Sequence, residues 1–168
     1  MVSGIIYPMP GQIILIHDRP DFAEVKAELL SRQLECKVIP VTTAKEAMEL
    51  ISKGLGKVDT VIVHKDQGQY SKEEYTGSNR GWVDDIVEAI HKENETVRIG
   101  ILSGEFPNGI GHVKELKADF YLSPEDTVRE ESWFLEQLQK GPVSPKEIGK
   151  RGQEVAMPSG PSAAERLY

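Results

Sequence analysis

The chain has 168 residues, 39% hydrophobic and 28% charged, which suits one domain with one substantial core. A net charge of −7 argues against general binding to nucleic acid or an anionic membrane. No apolar run approaches the ~18 residues of a membrane-spanning helix, no basic-then-apolar leader opens the chain, and the single cysteine, Cys36, excludes an internal disulfide framework. A cytoplasmic protein is the expectation.

Met1 to Gly11 carries Ile5, Ile6 and Tyr7, then Pro8 and Pro10. Proline cannot donate to a strand ladder, so residues 1–10 are expected to form an N-terminal arm. Gln12 to Asp18 is the first predicted strand. A helix should start at Asp21, with Glu24 in capping-box spacing. Phe22, Val25 and Leu29 form its inward stripe, widened by Ala23, Ala27, Leu30 and Leu34. Cys36 to Thr43 is the second strand, with Cys36 read as a small buried residue and Pro40 marking a sheet edge. Thr43 and Glu46 form another capping box, Ala44, Ala47, Met48 and Ile51 face inward, and Gly54 and Gly56 end that helix.

Val58 to Asp66 is the central strand, a short continuous apolar run of the kind buried on both faces of a parallel sheet. Gln67 to Arg80 is a long polar loop. Trp82, Val83, Ile86, Val87 and Ile90 mark a third helix that closes near Asn94, with Trp82 as its core anchor. Val97 to Glu105 is the fourth strand, a short helix should begin near Ile110, and Ala118 to Ser123 is the fifth strand. Pro124 suits the first position of a fifth helix, whose apolar face is Val128, Phe134, Leu135 and Leu138. Trp133 and Phe134 are adjacent, so one of them should be exposed. His112 reads as a surface residue. Lys65 reads as solvated, or alternatively as a cation that neutralises Asp18. From Gly141 onward Gly, Pro, Ser and charged residues dominate. Residues 141–168 are therefore expected to be a flexible tail, with at most one helical turn around Pro145 to Lys150.

Five alternations of strand and helix point to a doubly wound α/β sandwich, flavodoxin-like, with a central five-stranded parallel sheet. Sites in such sheets form at the carboxyl ends of the strands, where the winding reverses. Those ends carry His17-Asp18, His64-Lys65-Asp66, Ser103-Gly104-Glu105 and Ser123-Pro124. Their order and spacing resemble the receiver domain of two-component response regulators. His17-Asp18 stands where that family has an acidic pair. Asp59 to His64 matches the spacing from an aspartate to the phospho-accepting aspartate. Ser103-Gly104 matches a Thr or Ser followed by a small residue, and Ala118-Asp119-Phe120-Tyr121-Leu122 matches the family's Ala-Asp-x-Tyr-Leu. The resemblance spans Gly11 to Lys140 and implies a (βα)5 receiver-like domain at 11–140.

The departures carry the functional expectation. His17 replaces an acid, His64 replaces the nucleophile, and Ser123 stands where the family has lysine. Only Asp18 and Ser103 keep suitable chemistry, so the chain resembles a degenerate receiver, a pseudo-receiver. It is read as a non-enzyme without cofactor, acting through protein partners, with a homodimer left open. Tyr70, Tyr75, Trp133 and Phe134 are the candidate partner-binding residues. Two alternatives stand beside this reading. One is a rebuilt site, either a metal centre from His17, Asp18, His64 and Asp66 or a displaced phospho-acceptor at Asp66. The other is a flavodoxin-like small-molecule sensor, although no phosphate-cradling glycine follows the first strand.

Overall fold

The computed structural model describes residues 11–68, 72–77 and 81–158. The expected arm at 1–10 lies outside them. Five parallel strands, β1 (Gln12–Ile16), β2 (Val38–Val41), β3 (Val58–His64), β4 (Arg98–Leu102) and β5 (Phe120–Leu122), form one sheet in the order β2-β1-β3-β4-β5. This is the flavodoxin-like order, and its winding reverses between β1 and β3. Pro40 sits on edge strand β2, as its missing donor requires.

Strand alternation divides the core into two layers. Ile13 and Leu15 of β1, with Ile62 of β3, pack on α1 (Pro20–Leu34) and α6 (Glu131–Gln139) through Ala27, Leu30, Phe134 and Leu138. Ile14, Ile16, Val61 and Val63 pack on α2 (Ala44–Ser52), α3 (Trp82–Glu93) and α4 (Ile110–Glu115). Gly100 lets the ring of Phe120 lie against β4; a Cβ there would sit 2.1 Å from Phe120 Cζ.

Several expectations are corrected. Helix α1 begins at Pro20, with Arg19 as N-cap and no side-chain cap. Asp21 is drawn off by the Arg19 guanidinium, 3.1 Å away. Val25 and Leu29 point into solvent, because Ala23, Ala27, Leu30 and Leu34, with Phe22 packed against the same cluster, fill the inward stripe. Cys36 is half-buried rather than buried. The fifth helix breaks at Glu130 into α5 (Asp126–Arg129) and α6, which leaves Val128 70% exposed. His112 is half-buried and contacts Asp84 Oδ1 through Nε2 at 3.0 Å. Trp82 anchors the core as expected.

The largest difference lies at 141–158. Expected to be a flexible tail, this segment docks on the domain. Ser144 and Glu147 close a reciprocal capping box on α7 (Pro145–Ile148). Ala156 then pairs beside Phe120, with Tyr121 N donating to Ala156 O and Ala156 N to Asp119 O. The segment thereby covers the edge that β5 would otherwise leave open. Val143, Val155 and Met157 are buried. Two buried arginines fasten it. Arg98 of β4 donates to Gly141 O, Pro142 O and Glu147, while Arg151 forks onto Asp119 and reaches Glu95 O and Val97 O.

Candidate functional site

The register of the sheet builds the site. Leu15 pairs with Ile62 and Ile16 with Val63, so one step further brings His17 beside His64. Alternation turns both imidazoles toward the α1 face. They stack with centroids 4.0 Å apart and planes inclined by 16°, and His17 also lies 4.6 Å from the ring of Phe22 on α1. Asp18, next along the chain, contacts His64 Nδ1 through Oδ1 at 3.1 Å and accepts the Gly68 N–H on Oδ2 at 3.1 Å. His17, Asp18 and His64 are all at least 96% buried.

Hydrogen bonding assigns the tautomers. The Arg19 N–H donates to His17 Nδ1 at 3.1 Å, so the His17 proton resides on Nε2. The Asp18 carboxylate requires a proton on His64 Nδ1. Burial, and then the neighbouring His64, lower the His17 pKa to about 4. Burial also lowers the His64 pKa, with Asp18 opposing it. Both rings are therefore neutral at pH 7.

This geometry answers the metal question. The donor atoms of His17, Asp18 and His64 lie within 4.8 Å of one another, but Asp66 does not join them. A metal bound by two imidazoles must lie near both ring planes, ~2.0–2.1 Å from each nitrogen. Two rings stacked face to face at 4.0 Å and 16° share no such point. Mg²⁺ fits no better. It demands several hard oxygen ligands, and the cluster offers one carboxylate, Asp18, beside two imidazoles.

The other strand ends are committed locally. Ser103 is fully buried, and its Oγ accepts the Glu105 N–H. Ser123 Oγ donates to Asp126 Oδ2 at 2.9 Å and accepts the Asp126 N–H. Lys65 turns away from the role of neutralising Asp18: its Nζ lies 3.9 Å from Glu105 Oε2 and would touch a Cβ at Gly109. Asp66 is half-buried.

The described residues of the loop after β3 make contacts at this end of the sheet. Gly68 binds Asp18, and the carboxylate of Glu73 accepts the N–H groups of Ala44 and Lys45 at the start of α2. Sequence reading missed Glu73, although a carboxylate is the group that a helix N-terminus attracts. Tyr75 is half-buried, with its hydroxyl on Asp85 and its ring edge-on to Trp82. Tyr70 lies outside the described residues. Phe134 is 1% exposed and belongs to the core, so it is withdrawn as a partner-binding residue. Trp133 is half-buried, edge-on to Phe120.

Among the described residues no helix is long and apolar enough to cross a membrane. No family model and no curated protein matches the sequence. Solved structures do match. A response regulator receiver domain protein from Clostridium thermocellum is 20% identical, with a TM-score of 0.58 over 77% of this chain and 94% of that one. The signal receiver domain of an HD domain-containing protein from Pseudomonas fluorescens Pf-5 is 16% identical, with a TM-score of 0.60 over 91% and 100%. The response regulator TrrA from Thermotoga maritima, solved with Mg²⁺ and BeF, is 16% identical, with a TM-score of 0.57 over 76% and 98%. The fold is that of a response-regulator receiver domain, a five-stranded parallel sheet flanked by helices, with a stacked histidine pair at the carboxyl ends of β1 and β3.

Proposed function

We propose that this chain is a cytoplasmic regulatory protein in which a receiver fold signals through protein contacts, without phosphoryl transfer. The observation that carries this reading is the His17–His64 stack, with Asp18 tied to His64 and Gly68. Phosphoryl transfer to an aspartate, as the receiver resemblance implies it, needs a carboxylate oxygen as nucleophile and cations to offset the incoming charge. The stack supplies neutral rings instead, and Ser123 is locked to Asp126. Protein contact is supported by three apolar side chains left in solvent, Val25 and Leu29 on α1 and Val128 on α5, the last two 47% and 70% exposed. Lys26 of α1 bonds Thr127 O, which holds these two helices together.

The test is incubation with acetyl phosphate and Mg²⁺, followed by intact mass measurement. No added phosphate is expected. A stable gain of one phosphate that disappears in Asp66→Asn would show that the acceptor has moved along the chain, and would refute the phosphorylation-independent reading. For the contact surface, capture of a partner from the source cell should be lost when Leu29 and Val128 are both changed to Glu.

A further inference from the structure

The docked C-terminal segment creates a second feature, at the opposite end of the sheet from the histidine stack. It borders an open cleft of about 730 Å³, lined by Arg98 where β4 begins, Asp119 before β5, and residues of the docked segment from Lys146 to Met157. That volume lies within the ~300–1,000 Å³ of small-molecule sites. Its floor includes Val155, Ala156 and Met157.

Charge around the cleft runs against that of the whole chain. Arg98 is neutralised by Glu147 and Arg151 by Asp119, and all four groups are spent on holding the segment in place. Lys114, Lys140, Lys146 and Lys150 also line the cleft, against Glu154 alone. All four lysines are exposed, and none has an ion-pair partner among the described residues. A chain of net charge −7 thus gathers uncompensated positive charge beside an apolar floor. Lysine ammonium groups act as point charges toward phosphate. Several around one cleft favour a dianion over a monoanion.

We propose that this cleft binds an organic phosphate: an apolar body on the Val155–Met157 floor, with its phosphate held by the lysines at the rim. The proposal is independent of the reading of the histidine stack.

Hexyl phosphate, inorganic phosphate, hexanoate and 1-hexanol serve as probes in calorimetric titrations of the full chain at low salt. Hexyl phosphate should saturate one site, with each of the other three at least tenfold weaker. Lys146→Glu with Lys150→Glu should weaken hexyl phosphate at least tenfold. Neither side chain makes a hydrogen bond that the fold needs, and circular dichroism would confirm folding. Lys45→Glu with Lys53→Glu, an equal charge change away from the cleft, should alter binding less than twofold. Absence of saturable hexyl phosphate binding would overturn the proposal. So would equal weakening by both pairs, which would mean a response to net charge alone. Hexanol or hexanoate binding as tightly as hexyl phosphate would overturn the phosphate assignment.

Discussion

Replacing Arg151 by alanine tests whether the C-terminal segment is part of the fold. The Arg151 guanidinium meets Asp119 through two bonds of 3.1 Å and donates to Glu95 O at 2.7 Å and Val97 O at 2.5 Å. Its side chain is 5% exposed and that of Asp119 is 8% exposed. Removing one partner of a buried pair leaves the other charge uncompensated, at a cost of ~3–5 kcal/mol. For a chain of this size each kcal/mol shifts the melting temperature by ~2–4 °C, so a drop of about 6–20 °C is expected. An exposed ion pair would give ~0–1 kcal/mol. The pH dependence supplies a second check. Burial holds the Asp119 carboxyl above the usual carboxylate range, while Arg151, the Ile99 N–H and Arg98 oppose that rise. Without Arg151 it should rise further, so the deficit of the variant should shrink as acid protonates Asp119. Thermal melts followed by circular dichroism at neutral and acidic pH measure both effects. A shift below ~3 °C at neutral pH would refute docking through a buried ion pair and restore a dispensable tail.

Acid should destabilise the protein through His17, whose pKa falls from 6.5 to about 4 in the folded state. The unfolded chain takes up the proton first, so stability is full above pH 6.5 and is lost as pH falls toward 4. Between pH 7 and pH 5 the loss should be about 2 kcal/mol in urea titrations, and His91, also lowered to about 4, should add to it. A His17 ring titrating above pH ~6 by NMR would contradict this. Gly100→Ala should cost about 1–3 kcal/mol, since Phe120 is fully buried between Gly100 and the rings of Trp133 and Phe134; an unchanged melting temperature would mean that the ring has room to move. Glu73→Ala should cost about 1 kcal/mol and speed hydrogen exchange at the Ala44 and Lys45 amides, which its carboxylate binds. Unchanged exchange there would show that the loop does not cap α2.

The strands and their carboxyl ends were legible because β3 is a continuous apolar run and the flanking elements keep helical or strand periodicity. That sufficed to bring His17, Asp18 and His64 to one place. It did not give their arrangement. Stacking rather than convergence depends on the register of β1 with β3 from Ile13 onward, and periodicity leaves that pairing undetermined. The same limit misassigned Val25 and Leu29. They fall on an apolar stripe, but α1 presents Ala23, Ala27, Leu30 and Leu34 to the sheet and leaves Val25 and Leu29 outside.

The C-terminal segment fails a composition argument for a different reason. Ordering a residue costs ~1–2 kcal/mol of backbone entropy, and a stretch with few apolar groups has little burial to offset it. That reasoning counts only what the segment itself carries. Much of what stabilises residues 141–158 lies elsewhere in the chain: Arg98 on β4, the Asp119 carboxylate, and the open edge of β5. Without Glu147 and the Gly141 and Pro142 carbonyls, Arg98 would lose the hydrogen bonds that its guanidinium makes among the described residues. The domain therefore needs the segment as much as the segment needs the domain. A buried arginine at the start of a core strand was the sequence signal of that dependence: Arg98 stands between Val97 and Ile99, in a strand whose other residues are apolar or glycine.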